Sequence, residues 1–322
     1  MDPHSSYWKH EMKLSKTGLR LKGHSRSTEM TCFYIPELCI YFDAGVHGYY
    51  SCDHIFITHG HGDHIQALNG ILKSQNQERS KKPMPIYCPN DITKMLSKYV
   101  EAYFQVNANN PYLKCHKIIA MKGVNIGDRI PLKIKNHNYI IDAFECAHSV
   151  PTLGYGISES REKLLDELKG KPQTDIVALK KTGVAITKTI EVPLVCYLGD
   201  TTHEVFEIKS NGKIFNYPNI IVECSFLEKD ELIEAQKCKH MHWDNLKPII
   251  ERHPDCHFIL IHFSLRYMDS DIEKFFNGKL MKNMTVWTDN KLLEIAEITT
   301  KVVDKQDTKV VDKQDTKGET DK

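Results

Sequence analysis

Residues 58–64 read Thr-His-Gly-His-Gly-Asp-His, so three imidazoles and a carboxylate crowd into six positions, and two glycines remove side chains that would clash in so tight a stretch. Few folds tolerate such a run in their interior. A short apolar pattern, His54–Thr58, precedes it. After it, Ile65, Leu68, Ile71 and Leu72 recur at helical spacing over Asp63–Ser74. The cluster therefore sits on a strand-to-helix turn, where neutral imidazole and carboxylate suit zinc and related divalent ions.

Two metals would need more ligands than this run supplies. Metal-type residues recur where later strand patterns end: His148 after Ala143–Ala147, Asp200 after Val195–Gly199 and His262 after Phe258–Ile261. Strand ends are the usual place for site residues in layered α/β proteins. Elsewhere the chain alternates short strands with helices. Thr31–Ile35 and Cys39–Asp43 read as a hairpin, Pro85–Cys88 as a strand, and Asp91–Phe104 as a helix that Asp91 caps. Lys117–Gly127, Ile130–Cys146 and Gly154–Ser158 read as strands, and Glu159–Gly183 as charged and helical. Strands at Pro193–Leu198, Asn219–Glu223 and His257–His262 are separated by helices at Glu231–Cys238 and Trp243–Arg252. A strand-rich first half and a βα-like second half suggest two sheets covered by helices, an αββα sandwich in the α/β (α+β) class. Periodicity alone does not choose it over other α/β layers.

Composition sets the boundaries. Forty-three Lys and Arg against forty-two Asp and Glu leave a formal charge of +1, so no overall positive field marks a nucleic-acid binder, although a local basic groove stays open. The ten cysteines are scattered singly and read as small buried hydrophobes in a reducing compartment. No apolar run is long enough for a signal peptide or a membrane span, so an intracellular location, cytoplasmic or nuclear, is expected. Residues 1–16 read as a polar arm, 17–299 as one hydrolase domain, and 300–322 as a disordered tail. The octamer Lys-Val-Val-Asp-Lys-Gln-Asp-Thr occurs there twice over Lys301–Thr316, and the chain before it, near Asn290–Thr299, reads as helix.

Five pieces together resemble the metallo-β-lactamase superfamily, and within it the ribonuclease Z branch, over about Gly23–Tyr267. They are Phe42-Asp-Ala-Gly45, the histidine run, Ala147-His-Ser149, Leu198-Gly-Asp-Thr201 and Ile261-His-Phe-Ser-Leu-Arg-Tyr267. The resemblance implies the four-layer αββα sandwich and two divalent ions, Zn²⁺ first, with Mn²⁺ and Fe²⁺ admitted by the same ligands. It implies that His59, His61 and His148 hold one ion, that Asp63, His64 and His262 hold the other, and that Asp200 bridges them. Asp43 supports the cluster from behind. A hydroxide shared by the ions would attack, oriented by Asp63. The proton donor to the leaving oxygen is implied to come from Glu223 with His240, with His242 as competitor because Met241-His242 stands where the family has Ser-Thr. Arg266 and Tyr267 are candidate phosphate contacts, against a salt bridge and a packed ring as the plainer reading.

The implied substrate is RNA, the 3′ end of a tRNA precursor, and the implied assembly a homodimer. In that family a flexible arm between the equivalents of His148 and Asp200 clamps tRNA. Here the segment is short, holding a charged helix over Ser158–Gly170 and Asp175–Lys181 before Lys180-Lys-Thr-Gly183. A small-molecule hydrolase acting on a cyclic phosphodiester, a thioester or a lactam is the alternative on the same centre. A non-catalytic scaffold is disfavoured by the complete ligand set.

Overall fold

A computed structural model describes residues 6–78, 83–115 and 118–295 of the 322-residue chain. Among these, the strands form two sheets whose spatial order follows the sequence. The first has seven strands: β1 (Glu11–Lys13), β2 (Arg20–Arg26), β3 (Met30–Ile35), β4 (Ile40–Phe42), β5 (His54–Phe56), β6 (Met84–Pro89) and β7 (Ile119–Val124). The second has eight: β8 (Arg129–Ile134), β9 (His137–Cys146), β10 (Thr152–Leu164), β11 (Thr187–Tyr197), β12 (Asn219–Glu223), β13 (His257–Ile261), β14 (Met284–Trp287) and β15 (Leu292–Leu293). Each sheet begins antiparallel and then turns parallel, from β4 in the first and from β11 in the second, whose last strand β15 is again antiparallel.

The parallel strands are buried on both faces, which is why they read as unbroken apolar runs. Alternation sorts their side chains. Phe42, Phe56, Tyr197, Ile221, Ile259 and Ile261 point into the core between the sheets. Ile55 and Ile57 point outward under helices α2 (Leu68–Glu78) and α3 (Thr93–Asn107). On the opposite outer face Val222 and Leu260 pack with α6 (Trp243–Arg252) and α7 (Asp269–Phe276). The layers are therefore αββα.

Several expectations are corrected. The segment Ser158–Gly170 is not a helix: β10 runs on to Leu164 and pairs with β11 from Thr187, making a two-stranded ribbon that projects beyond the core. Cross-strand partners override the helical composition, and the Glu162 carboxylate accepts from the hydroxyls of Thr187 (2.7 Å) and Thr189 (2.6 Å). A 3₁₀ turn over Asp166–Leu168 and α4 (Gln173–Lys181), at the ribbon's tip, are the helical parts. Asp91 caps nothing; it lies in a 3₁₀ turn, and α3 starts at Thr93 with no side-chain cap. The helix after the histidine run is split into α1 (Gly62–Ile65) and α2, because Ala67 N–H bonds back to Ala44 O at 2.8 Å. Leu292–Leu293 is strand where helix was expected, and residues 296–322, with the repeat, lie outside the described residues. The expected polar arm contributes β1 and buries Trp8, Met12 and Leu14. Among the described residues no helix is long and apolar enough to cross a membrane.

Candidate metal centre

Every sequence-predicted metal ligand leaves the core at one edge of the two sheets, just past a strand end: His59 after β5, His148 after β9, Asp200 after β11 and His262 after β13. Close backbone approach makes this possible. A β-carbon on Gly199 would lie 2.6 Å from the Thr58 Cβ, so the glycine lets Asp200 reach the histidine run. At Gly45 the added carbon would meet Asp63 O at 1.8 Å. Four residues of the site hold left-handed backbone: Asp43 (φ 57°), His262 (φ 63°), and Thr28 (φ 62°) and Lys239 (φ 57°), whose backbone groups contact Asp63 and His148. Such strain in non-glycine residues persists where surrounding contacts over-determine it.

Seven side chains converge in two groups that share Asp200. On one side His59 Nε2 and His61 Nδ1 are 3.1 Å apart, and His148 Nε2 is 3.3 Å from His61 Nδ1. Asp200 Oδ2 faces His59 Nε2 at 3.6 Å and His148 Nε2 at 3.8 Å. On the other side His262 Nε2 lies 3.3 Å from Asp63 Oδ2 and 3.4 Å from His64 Nε2. Asp200 Oδ1 faces His64 at 3.3 Å and His262 at 3.4 Å. Ligand bonds of ~2.0–2.1 Å in a tetrahedron put neighbouring donors ~3.3 Å apart, so the spacing is that of two coordination shells sharing one carboxylate. The donors are nitrogen and oxygen only, a set that zinc, manganese and iron accept.

The far ring nitrogens are tied down, which fixes which lone pair points inward. His64 Nδ1 lies 2.8 Å from Asp43 Oδ2, His148 Nδ1 3.0 Å from Lys239 O, His262 Nδ1 3.0 Å from Ser225 Oγ and His59 Nδ1 3.0 Å from Thr58 Oγ1. Asp43 is fully buried and accepts from Thr58 N–H (2.8 Å) and the Tyr197 hydroxyl (2.8 Å). Asp63 accepts from Thr28 N–H at 2.9 Å. Thr28, Tyr197 and Ser225 were missed by sequence reasoning. Tyr197 and Ser225 stand beside motifs already recognised, whereas Thr28 is a backbone contact with no side-chain signature.

Electrostatics divides the cluster. Burial lowers the pKa of His59, His61 and His148, leaving neutral imidazoles. Burial also disfavours the charged forms of His64 and Asp200, but facing partners outweigh it. Asp200 and Asp43 raise His64, while His262, His64 and His59 lower Asp200.

Glu223 is 1 % exposed and its oxygens are committed, accepting from Thr201 N–H (2.6 Å) and Met241 N–H (3.1 Å) and lying 2.9 and 3.1 Å from His240 Nδ1. His240 stands between His148 and His262, with ring centroids 4.8 and 5.7 Å away. Burial opposes its protonation, yet Glu223 raises it to about 9. His242 is used up structurally: Nδ1 accepts from Asp244 N–H as the cap of α6, and Nε2 lies 2.8 Å from Glu228 O. Arg266 and Tyr267, the candidate phosphate contacts, are both engaged within the chain. Arg266 pairs with Glu231 (2.9 Å) and Glu234 (3.0 Å), and the Tyr267 hydroxyl donates to Glu231.

With this geometry described, comparison with known proteins gives a consistent picture. The profile of the beta-lactamase superfamily domain matches residues 45–263. The chain is 30% identical over 263 residues to tRNase Z TRZ1 of Arabidopsis thaliana, covering 80% of this chain and 87% of that protein. It is 29% identical to the chloroplastic tRNase Z TRZ2 of the same plant, covering 80% and 69%. Among solved structures, the short form of human tRNase Z superposes with a TM-score of 0.52 at 17% identity, covering 89% of this chain and 99% of that one; at that identity the likeness concerns the fold.

Proposed function

Since the chain belongs to the β-lactamase superfamily and, within it, to the ribonuclease Z family of metal-dependent hydrolases, we propose that it cuts a phosphodiester of RNA, at the 3′ end of a precursor tRNA. The observation that carries this reading is Asp200, whose two oxygens each face a different group of ligands. His59, His61 and His148 would hold one cation and Asp63, His64 and His262 the other. Zinc is our assignment from an all-nitrogen and oxygen donor set. Held there, two divalent cations would supply an acidified water and positive charge for the phosphoryl oxygens.

The chain's own groups do the rest. Burial opposes ionisation of Asp63, but its hydrogen bond with His262 lowers its pKa, so it is anionic at neutral pH. Thr28 N–H holds its Oδ2, and the carboxylate would orient the attacking water. His240 carries the proton for the leaving oxygen, and Glu223 acts through it by holding Nδ1. That arrangement favours a poor leaving group such as a ribose hydroxyl, which needs protonation. The β10–β11 ribbon, with α4 and its exposed Lys180 and Lys181, supports a grip on the RNA away from the cut. We carry over the intracellular location and the homodimer with this reading; a single monomeric species on sedimentation of the metal-loaded chain removes the homodimer.

The test is the metal-loaded chain incubated with a precursor tRNA bearing a 3′ trailer, bis(p-nitrophenyl) phosphate and nitrocefin. Cleavage of the precursor at its 3′ end is expected, with His64→Ala lowering it by on the order of 10³-fold or more. Cleavage of the small diester alone would move the protein to the small-molecule class, and nitrocefin turnover would make it a lactamase.

A further inference from the structure

Three depressions adjoin along the edge of the cluster. One of about 410 Å³ is walled by His148, His203, Glu204, Lys239 and His240, and a second of about 580 Å³ by Asn125, Glu145, His148 and Ser149. Both are polar. The third, about 390 Å³, is walled by Ile65, Ile92, Met95, Tyr99, Val150 and Pro151, and it also touches the metal-type residue His61. Asp91, Val150 and Pro151 line both the second and the third, so the row is continuous past His148 and His61.

We infer that the apolar basin beside His61 receives the nucleobase of one nucleotide flanking the scissile phosphate, an inference that rests on the RNA phosphodiesterase reading above. Its place follows from His61: a phosphate held at the cluster puts its neighbouring nucleotide within reach of a wall that His61 shares. Its chemistry excludes a phosphate. The walls are hydrocarbon, thioether and aromatic, and the exposed carboxylate of Asp91 repels an anion while accepting an amino hydrogen of adenine, cytosine or guanine. Gly60 lines it without a side chain, and an added β-carbon there would make only an ordinary contact, 3.7 Å from Ile92 Cδ1. Met95 is 64% and Tyr99 41% exposed, and the Tyr99 ring has no aromatic partner among the described residues. A planar, neutral, partly polar guest covers both. The exposed stripe continues along α3 through Tyr103 and Val106, where a second copy of the chain is the competing occupant.

The experiment uses metal-loaded full-length chain and trailer-bearing RNA in which the nucleotide on either side of the cut is made abasic in turn, with Tyr99→Ala, Met95→Ala and Tyr99→Phe as variants. Expected is a rise in KM of about tenfold for one abasic position with wild type, and a like rise for Tyr99→Ala and Met95→Ala on intact RNA. Those two variants should show no further loss on the abasic RNA, and Tyr99→Phe should restore wild-type behaviour. Binding gives a second readout: 2-aminopurine at that position in the cleaved product is quenched by wild type and not by Tyr99→Ala. Intact RNA cut with no penalty at either abasic position overturns the base subsite and leaves the phosphodiesterase standing. Loss of self-association in Tyr99→Ala with the abasic penalty unchanged assigns the face to a second copy instead. No RNA cleavage, with the nitrophenyl diester still hydrolysed, removes the RNA reading and this inference together.

Discussion

The metal centre gathers residues from the ends of both sheets and the β10–β11 ribbon extends from one of them, and the two are held by opposite means. In the centre, His59, His64, Asp200 and His262 are buried and their orientations are fixed by Asp43, Ser225 and the converging ligands. In the ribbon, β10 is buried up to Glu159 and exposed through most of its remaining length, held by pairs such as Lys188 with Asp166 (2.9 Å) on the surface. Exposed pairs of this kind contribute ~0–1 kcal/mol each. Buried, over-determined groups suit chemistry that tolerates little misplacement, whereas an exposed charged ribbon suits a partner that is itself large and charged. On the proposed function the difference implies that catalysis and grip can be lost separately, and substitutions test that division.

The largest effect is expected in the centre. His240→Ala should slow precursor cleavage by ~10²–10⁴-fold while leaving the nitrophenyl diester far less affected, because nitrophenolate leaves without a proton. His242→Ala should leave kcat near wild type and lower stability by ~1 kcal/mol, read as a shift in denaturant midpoint, through loss of the α6 cap. Equal slowing of both substrates by His240→Ala would remove it as the donor. Next in size is a pH effect. A donor must be protonated, so the rate falls as pH rises through its pKa, and Glu223 holds that of His240 up. Glu223→Gln should therefore move the basic limb of kcat/KM to lower pH; an unmoved limb refutes the coupling.

The ribbon should show the reverse pattern. The register pairs Arg161 with Ile190 and Glu162 with Thr189, so excising residues 162–189 and closing with an Asn-Gly turn keeps the hairpin in register. KM for precursor tRNA should rise about tenfold or more with the small diester turned over as before. Loss of both would mean that the ribbon is needed by the core. Smallest is the effect of Lys180→Ala or Lys181→Ala, each lowering the salt-dependence slope of RNA binding by about one if it touches a phosphate.

Much of the centre was legible along the chain because its ligands come as a contiguous run or at the ends of apolar strands, where an unbroken apolar run stops at a His or Asp. β12 and the strand over His257–Ile261 were readable as short apolar runs, and α6 by the helical spacing of Leu246, Ile249 and Ile250. The ribbon was not. Its Glu, Arg and Lys residues are good helix formers, and only pairing with β11 some thirty positions away makes them strand, information that no local window holds. Asp91 likewise looked like a cap, but a 3₁₀ turn intervenes before α3.

What the sequence determined by itself was the inventory: the histidine run on its turn, His148, Asp200 and His262 at strand ends, and the Glu223 and His240 pair. Tertiary structure decided their division of labour. It turned the two oxygens of Asp200 toward different groups of ligands, committed His242 to a helix cap and Arg266 to Glu231 and Glu234, and joined the apolar face of α3 to His61. The physical reason is that a residue's type states which bonds it can make, whereas packing of distant strands states which partners are within ~3 Å to make them.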